Sequence, residues 1–65
     1  MNAIELLLNK NAEQRKFQVE FLVSGGAKDY AEYKHVCGVI RGLDYADVHL
    51  LDLAERLAKD GDDGT

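Results

Sequence analysis

Apolar residues recur at alternating steps of three and four along the second half of the chain. This spacing places them on one narrow side of a helix, as in helices that pack against another helix. We call this side the seam, and it consists of Val36, Val39, Leu43, Ala46, Leu50, Leu53 and Leu57. We expect the seam to be an interaction surface that a facing helix covers.

The rest of the pattern predicts two helices. The chain contains no proline, and residues with high helix propensity dominate it. The clearest interruption is Ser24 followed by Gly25 and Gly26, since adjacent glycines readily end a helix. Asp29 then stands where an N-cap is expected, and Glu32 three residues later completes the spacing of a capping box.

These signals predict an all-α fold with helices over about residues 2–23 and 30–58. Because the connection is short, we expect an antiparallel two-helix hairpin that associates as a helical bundle or coiled coil. The hairpin domain should cover residues 1–59. Residues 60–65 are expected to form an acidic, flexible tail, with Gly61 as the helix stop.

The first predicted helix carries apolar residues on two sides. One side is formed by Ile4, Leu8, Ala12, Val19 and Leu22. Leu7, Phe17 and Phe21 form a second apolar surface. Either both sides serve one bent intramolecular core, or the second side meets another subunit or another protein. The small core of a two-helix hairpin favours the second interpretation.

Gly38 and Gly42 lie four residues apart within the second predicted helix. Small residues at this spacing allow two helix backbones to approach closely, and Ala46 extends the row. We therefore interpret Gly38 and Gly42 as close-packing residues. Alternatively, Gly42 breaks the helix and Asp44 caps a third one. The seam passes Gly42 without a change of phase, which favours one continuous helix.

Size and composition narrow the function classes. A domain of 65 residues is marginally stable alone and gains from association. The net charge of −4 argues against nucleic-acid binding, and no stretch approaches the ~20 apolar residues of a membrane span. Cys37 is the single cysteine, so a disulfide within the chain is excluded and an intracellular location is indicated.

No constellation of residues points to catalysis, a metal or a cofactor. His35 and His49 lie about 21 Å apart on one helix, too far to share a metal ion. Together with Cys37 they are too few for a structural zinc site. Cys37 and His35 do not face each other on a helix, and no phosphate-binding glycine loop is present. We expect a protein that binds other proteins without catalysing a reaction.

Two segments resemble a class of very small proteins encoded by tailed bacteriophages. They are AKDYAEY at residues 27–33 and CGVIRGL at residues 37–43, which form an aspartate-tyrosine helix start and a Gly-x-Ile-x-Gly-Leu motif. The resemblance covers about residues 17–57. It implies a viral origin and a place in the host cytoplasm or the virion.

The resemblance leaves two functions open. The chain is either a small phage structural or assembly protein that packs against itself or a larger viral protein, or an effector that binds and inhibits a host protein. Partners under both hypotheses are a second copy of the chain or another viral or host protein. The class supplies no functional residue that can be transferred to this sequence.

Overall fold

The chain forms an antiparallel hairpin of two α-helices. A computed structural model describes residues 2–63 and, among these, the side chains of residues 2–60. Helix α1 spans Ala3–Val23 and helix α2 spans Tyr30–Asp63. No strand occurs among residues 2–63, so the predicted all-α hairpin is confirmed.

Both helices begin at side-chain caps. The Asn2 side chain accepts a 2.8 Å hydrogen bond from the backbone N–H of Glu5 at the start of α1. The Asp29 carboxylate accepts a 2.8 Å hydrogen bond from the backbone N–H of Glu32 at the start of α2. The predicted cap at Asp29 is therefore confirmed. Such caps each contribute about 1 kcal/mol, because they satisfy amide groups that have no partner within the helix.

Helix α1 ends in a Schellman motif. Gly25 has a φ of 79°, in the left-handed region that favours glycine. The Gly25 N–H donates to the Leu22 carbonyl and the Gly26 N–H donates to the Phe21 carbonyl, at 3.1 and 2.8 Å. A Cβ on Gly26 would collide with the Phe21 ring. Both glycines are thus required for the turn between the helices.

Helix α2 is continuous through Gly42, as the phase of the seam predicted, and no third helix begins at Asp44. It ends at Asp63 rather than near residue 58, so it passes Gly61, where the sequence predicted a stop. Of the expected tail, Gly64 and Thr65 lie outside the described residues.

The hairpin is one helix thick. Its dimensions are 55 × 20 × 12 Å, and the smallest matches the diameter of a single helix. Domains are ordinarily built from at least two packed layers around a core. The helix pair therefore leaves both of its broad faces uncovered.

Candidate interaction surface

The contact between the helices is set by two polar bonds as well as by apolar packing. The Asn11 side-chain amide donates a 2.9 Å hydrogen bond to the Asp47 carboxylate, and this bond is partly buried. The Arg15 guanidinium donates a 2.9 Å hydrogen bond to the Asp44 carboxylate at the more exposed edge of the contact. The later residue of α1 is bonded to the earlier residue of α2, as expected for antiparallel helices. The two bonds therefore fix the register between the helices.

The register determines how far α1 covers the seam. Asn11 lies level with Asp47, and in an antiparallel pair the start of α1 lies beside a later part of α2. Ala3 at the start of α1 is therefore level with Glu55 of α2. The last two turns of α2 consequently extend beyond α1. Seam residues before this level are covered, and those near or beyond it are not.

Exposure along the seam follows this register. Val36 is the only apolar side chain among residues 2–60 that is almost fully buried, with 5% exposed. The next four seam residues, Val39, Leu43, Ala46 and Leu50, are half-buried. Leu53 and Leu57, near the free end of α2, are 44% and 54% exposed. A single chain therefore shields most of the seam and leaves its last turns open.

The side of α1 that meets α2 differs from the apolar side predicted from the sequence. Ile4, Leu8, Val19 and Leu22 are half-buried, as expected, but Ala12 is exposed. Polar residues Asn11 and Gln18 are half-buried on that side instead. A hydrophobicity pattern could not identify them, because Asn11 is accommodated by the Asp47 carboxylate. The spacing of Asp44 and Asp47, three apart beside the seam, was the available signal.

The second apolar surface of α1 remains largely open. Leu7 and Phe17 are 47% and 63% exposed. Phe21 is half-buried, and its ring lies against Gly26 in the turn. The intramolecular core therefore does not cover this surface.

The close-packing prediction for Gly38 and Gly42 has no counterpart within the hairpin. Both glycines are exposed, and a Cβ added to either would meet nothing within 4 Å. The contact with α1 follows the seam, and the two glycines lie to one side of it. No backbone of the same chain approaches them.

The two broad faces of the hairpin can be assigned from helix geometry. Viewed along the pair, successive residues turn in opposite senses on two antiparallel helices. Consider the residues of each helix that contact the other helix. The residue just before each of them in the sequence lies on one broad face, and this face is the same for both helices. The residue just after each of them lies on the opposite broad face. The first, the Leu7 face, carries Ala3, Leu7, Phe17 and Phe21 of α1 with Gly42, Ala46, His49, Leu53 and Leu57 of α2. The second, the Leu51 face, carries Ala12 and Val19 of α1 with Tyr33, Cys37, Ile40, Val48 and Leu51 of α2.

A small aromatic cluster lies at the turn end of the Leu51 face. The Tyr30 and Tyr33 rings stack with centroids 6.3 Å apart, and the Lys34 ammonium lies 6.0 Å from the Tyr30 centroid. A side-chain hydrogen bond with the Cys37 thiol raises the pKa of the Tyr33 hydroxyl above its ordinary value. Cys37 is a half-buried free thiol. The cluster is thus an aromatic surface patch over the first turns of α2.

The described residues form no metal site, and the depression that they form on α1 is open to solvent. No group of three or more His, Cys, Asp or Glu side chains is arranged to hold a metal ion within residues 2–60. A shallow depression is lined by Ala12, Arg15, Lys16, Val19 and Glu20, all from α1, and it is open to solvent. Neither helix, over the part of the chain that the structure describes, is long and apolar enough to cross a membrane.

Comparison with known proteins yields no relative. The chain matches no protein-family model, no curated protein and no solved structure.

Proposed function

We propose that this chain is a non-catalytic helical interaction module, a small structural or assembly protein of a tailed bacteriophage that packs against itself or a larger viral protein. The observation that carries the interaction role is the single-layer hairpin with large apolar side chains exposed on both faces. Exposed apolar surface beyond that of an ordinary monomer is typical of proteins that work in complexes.

The exposed residues support this role by their size and their position. Phe17, Val48 and Leu51 are each more than half exposed, and they lie on broad faces rather than at frayed ends. Isolated surface leucines are ordinary in soluble proteins. Here they lie towards both ends of α1 and along the second half of α2, which gives each broad face apolar patches for docking.

The phage assignment rests on the sequence segments at residues 27–33 and 37–43. In the fold, the first segment contains the Asp29 cap of α2, and the second contains the seam residues Val39 and Leu43. They fix where α2 begins and which side it turns to α1. Neither segment contributes a reacting group.

The proposal is tested by mass spectrometry of purified particles of a phage that encodes the chain. A structural protein is expected in the particles at a defined copy number that survives high-salt washing. An assembly protein is expected in immature particles and to be depleted from mature ones. Absence from both, after the chain has been detected in infected cells, would contradict the proposal.

A further inference from the structure

We propose that the Leu7 face is the interface through which two copies of this chain pair. This inference deepens the proposed function, because it names one partner and one of the two open faces. The occupant is a second copy of the chain, and the result is a four-helix arrangement two layers thick. Three observations support it: excess exposed area, charge distribution and shape.

The exposed area matches what one interface would bury. The chain has an accessible surface of 5179 Å². A compact folded monomer of 7.2 kDa exposes about 4,100 Å². The excess is about 1,000 Å², and a standard-size interface buries about 800 Å² on each partner. Pairing through one face would therefore return each copy to the exposure expected for a compact protein.

The distribution of charge selects the Leu7 face. Among its residues within the described part of the chain, Lys10 is the charged side chain on α1, and the charged side chains on α2 are Arg56 and Asp60, both towards the far end. The Leu51 face instead carries Glu5, Lys16 and the Arg15–Asp44 pair. Interface centres are depleted of charge, which favours the Leu7 face.

Low charge also favours a second copy as the occupant. In a two-fold pair the same patch is buried on both subunits, so it must be complementary to itself. A chain of net charge −4 repels its own copy wherever its acidic groups face each other. On the Leu7 face the acidic residues are absent from the centre, so two copies can meet there without opposing carboxylates.

The shape of the face is compatible with helix packing. Gly42 and Ala46 contribute little side-chain volume beside the seam, and Gly42 has open space above it. Phe17 and Leu7 project from the neighbouring helix. Large residues beside small ones form the ridges and grooves that interdigitate when helices pack. Leu53 near the end of α1, and Leu57 beyond that end, extend the same surface.

The test compares two variants that differ only in face. Leu7→Glu and Leu51→Glu make the same substitution at nearly the same level of the hairpin, and both leucines are about half exposed, at 47% and 58%. Sedimentation equilibrium is measured for both and for the unchanged chain at neutral pH, up to about 100 μM, because standard-size interfaces dissociate at μM or below. Circular dichroism confirms that each chain is helical.

We expect the unchanged chain to be a dimer and Leu51→Glu to keep its dissociation constant. Leu7→Glu should raise that constant at least about tenfold, since it buries a carboxylate without a partner. A monomeric unchanged chain at 100 μM would overturn the inference, and so would a dimer that Leu51→Glu disrupts and Leu7→Glu does not. The oligomeric state of the unchanged chain is measured directly, so the test of dimerisation does not depend on whether a variant folds. Detection in phage particles together with a monomeric chain would refute self-pairing and leave the proposed function standing.

Discussion

Replacing Val36 with alanine tests whether the contact between α1 and α2 forms the core of this protein. The substitution removes two methyl groups, and each buried carbon is worth about 0.8 kcal/mol, which gives about 1.6 kcal/mol of lost transfer free energy. Alanine returns up to ~0.7 kcal/mol through its higher helix propensity. The open layer lets neighbours and water fill the space, so the cavity adds little. The expected net loss of unfolding free energy is about 1 kcal/mol.

Val48→Ala is the matched control, because Val48 lies in the same helix and is 61% exposed, against 5% for Val36. The propensity gain is the same in both variants, so the difference between them reports burial alone. We expect Val36→Ala to be less stable than Val48→Ala by about 1 kcal/mol in urea unfolding followed by circular dichroism. This corresponds to about 4–8 °C in midpoint temperature. Equal midpoints for the two variants would refute the assigned packing.

Four substitutions test features of local structure. Asn11→Ala leaves the partly buried Asp47 carboxylate without its donor, and urea unfolding should show a loss of about 1 kcal/mol; no loss would mean that the bond contributes nothing. Gly25→Ala should lower the thermal midpoint, because it forces a side chain into the left-handed region at a cost of about 1 kcal/mol. Gly38→Ala should raise the midpoint through helix propensity, and a drop would show that a backbone packs there. The pKa of Tyr33 is raised, so folding favours the neutral hydroxyl. The stabilisation of the folded state that results is present below the ordinary tyrosine pKa of about 10, and it is lost as the pH rises through the raised pKa. Alkaline unfolding of Tyr33→Phe should therefore be less steep, and an unchanged profile would contradict the hydrogen bond to the thiol.

The sequence allowed the helices and their connection to be predicted, because each depends on local chemistry. Gly25 and Gly26 end α1, Asp29 begins α2, and the uninterrupted seam carries α2 past Gly42. Each signal acts within one or two turns of the chain. None of them requires knowledge of the partner helix.

The contact side of α1 could not be predicted in the same way. Hydrophobicity placed Ala12 in the contact, whereas Asn11 lies there because Asp47 supplies a partner 36 residues away in sequence. A polar residue is tolerated in a contact only when its hydrogen bonds are satisfied, and a one-dimensional pattern does not show which distant group satisfies them. The predicted end of α2 is wrong because a glycine permits a helix to end without forcing it to, and α2 continues through Gly61 to Asp63.

The candidate surface was predicted only in part for the same reason. The apolar pattern predicts Leu7, Phe17 and Phe21 as a second apolar surface; Leu7 and Phe17 are exposed, and Phe21 is half-buried. The division into a Leu7 face and a Leu51 face required the register between the helices. That register depends on the Asn11 and Arg15 bonds, which the apolar pattern does not contain.

A comparison of Leu50→Asp with Leu57→Asp in urea unfolding, at low chain concentration, measures directly how far α1 covers the seam. Both leucines belong to one seam and lie seven residues apart, so the sequence pattern alone predicts equal effects. The structure places Leu50 at the contact with α1 and leaves Leu57 54% exposed beyond it. We expect Leu50→Asp to lose about 3 kcal/mol and much of its helicity, and Leu57→Asp to remain within about 0.5 kcal/mol of the unchanged chain. Equal destabilisation by the two substitutions, or none by Leu50→Asp, would contradict the central claim that α1 covers the seam only up to its last turns.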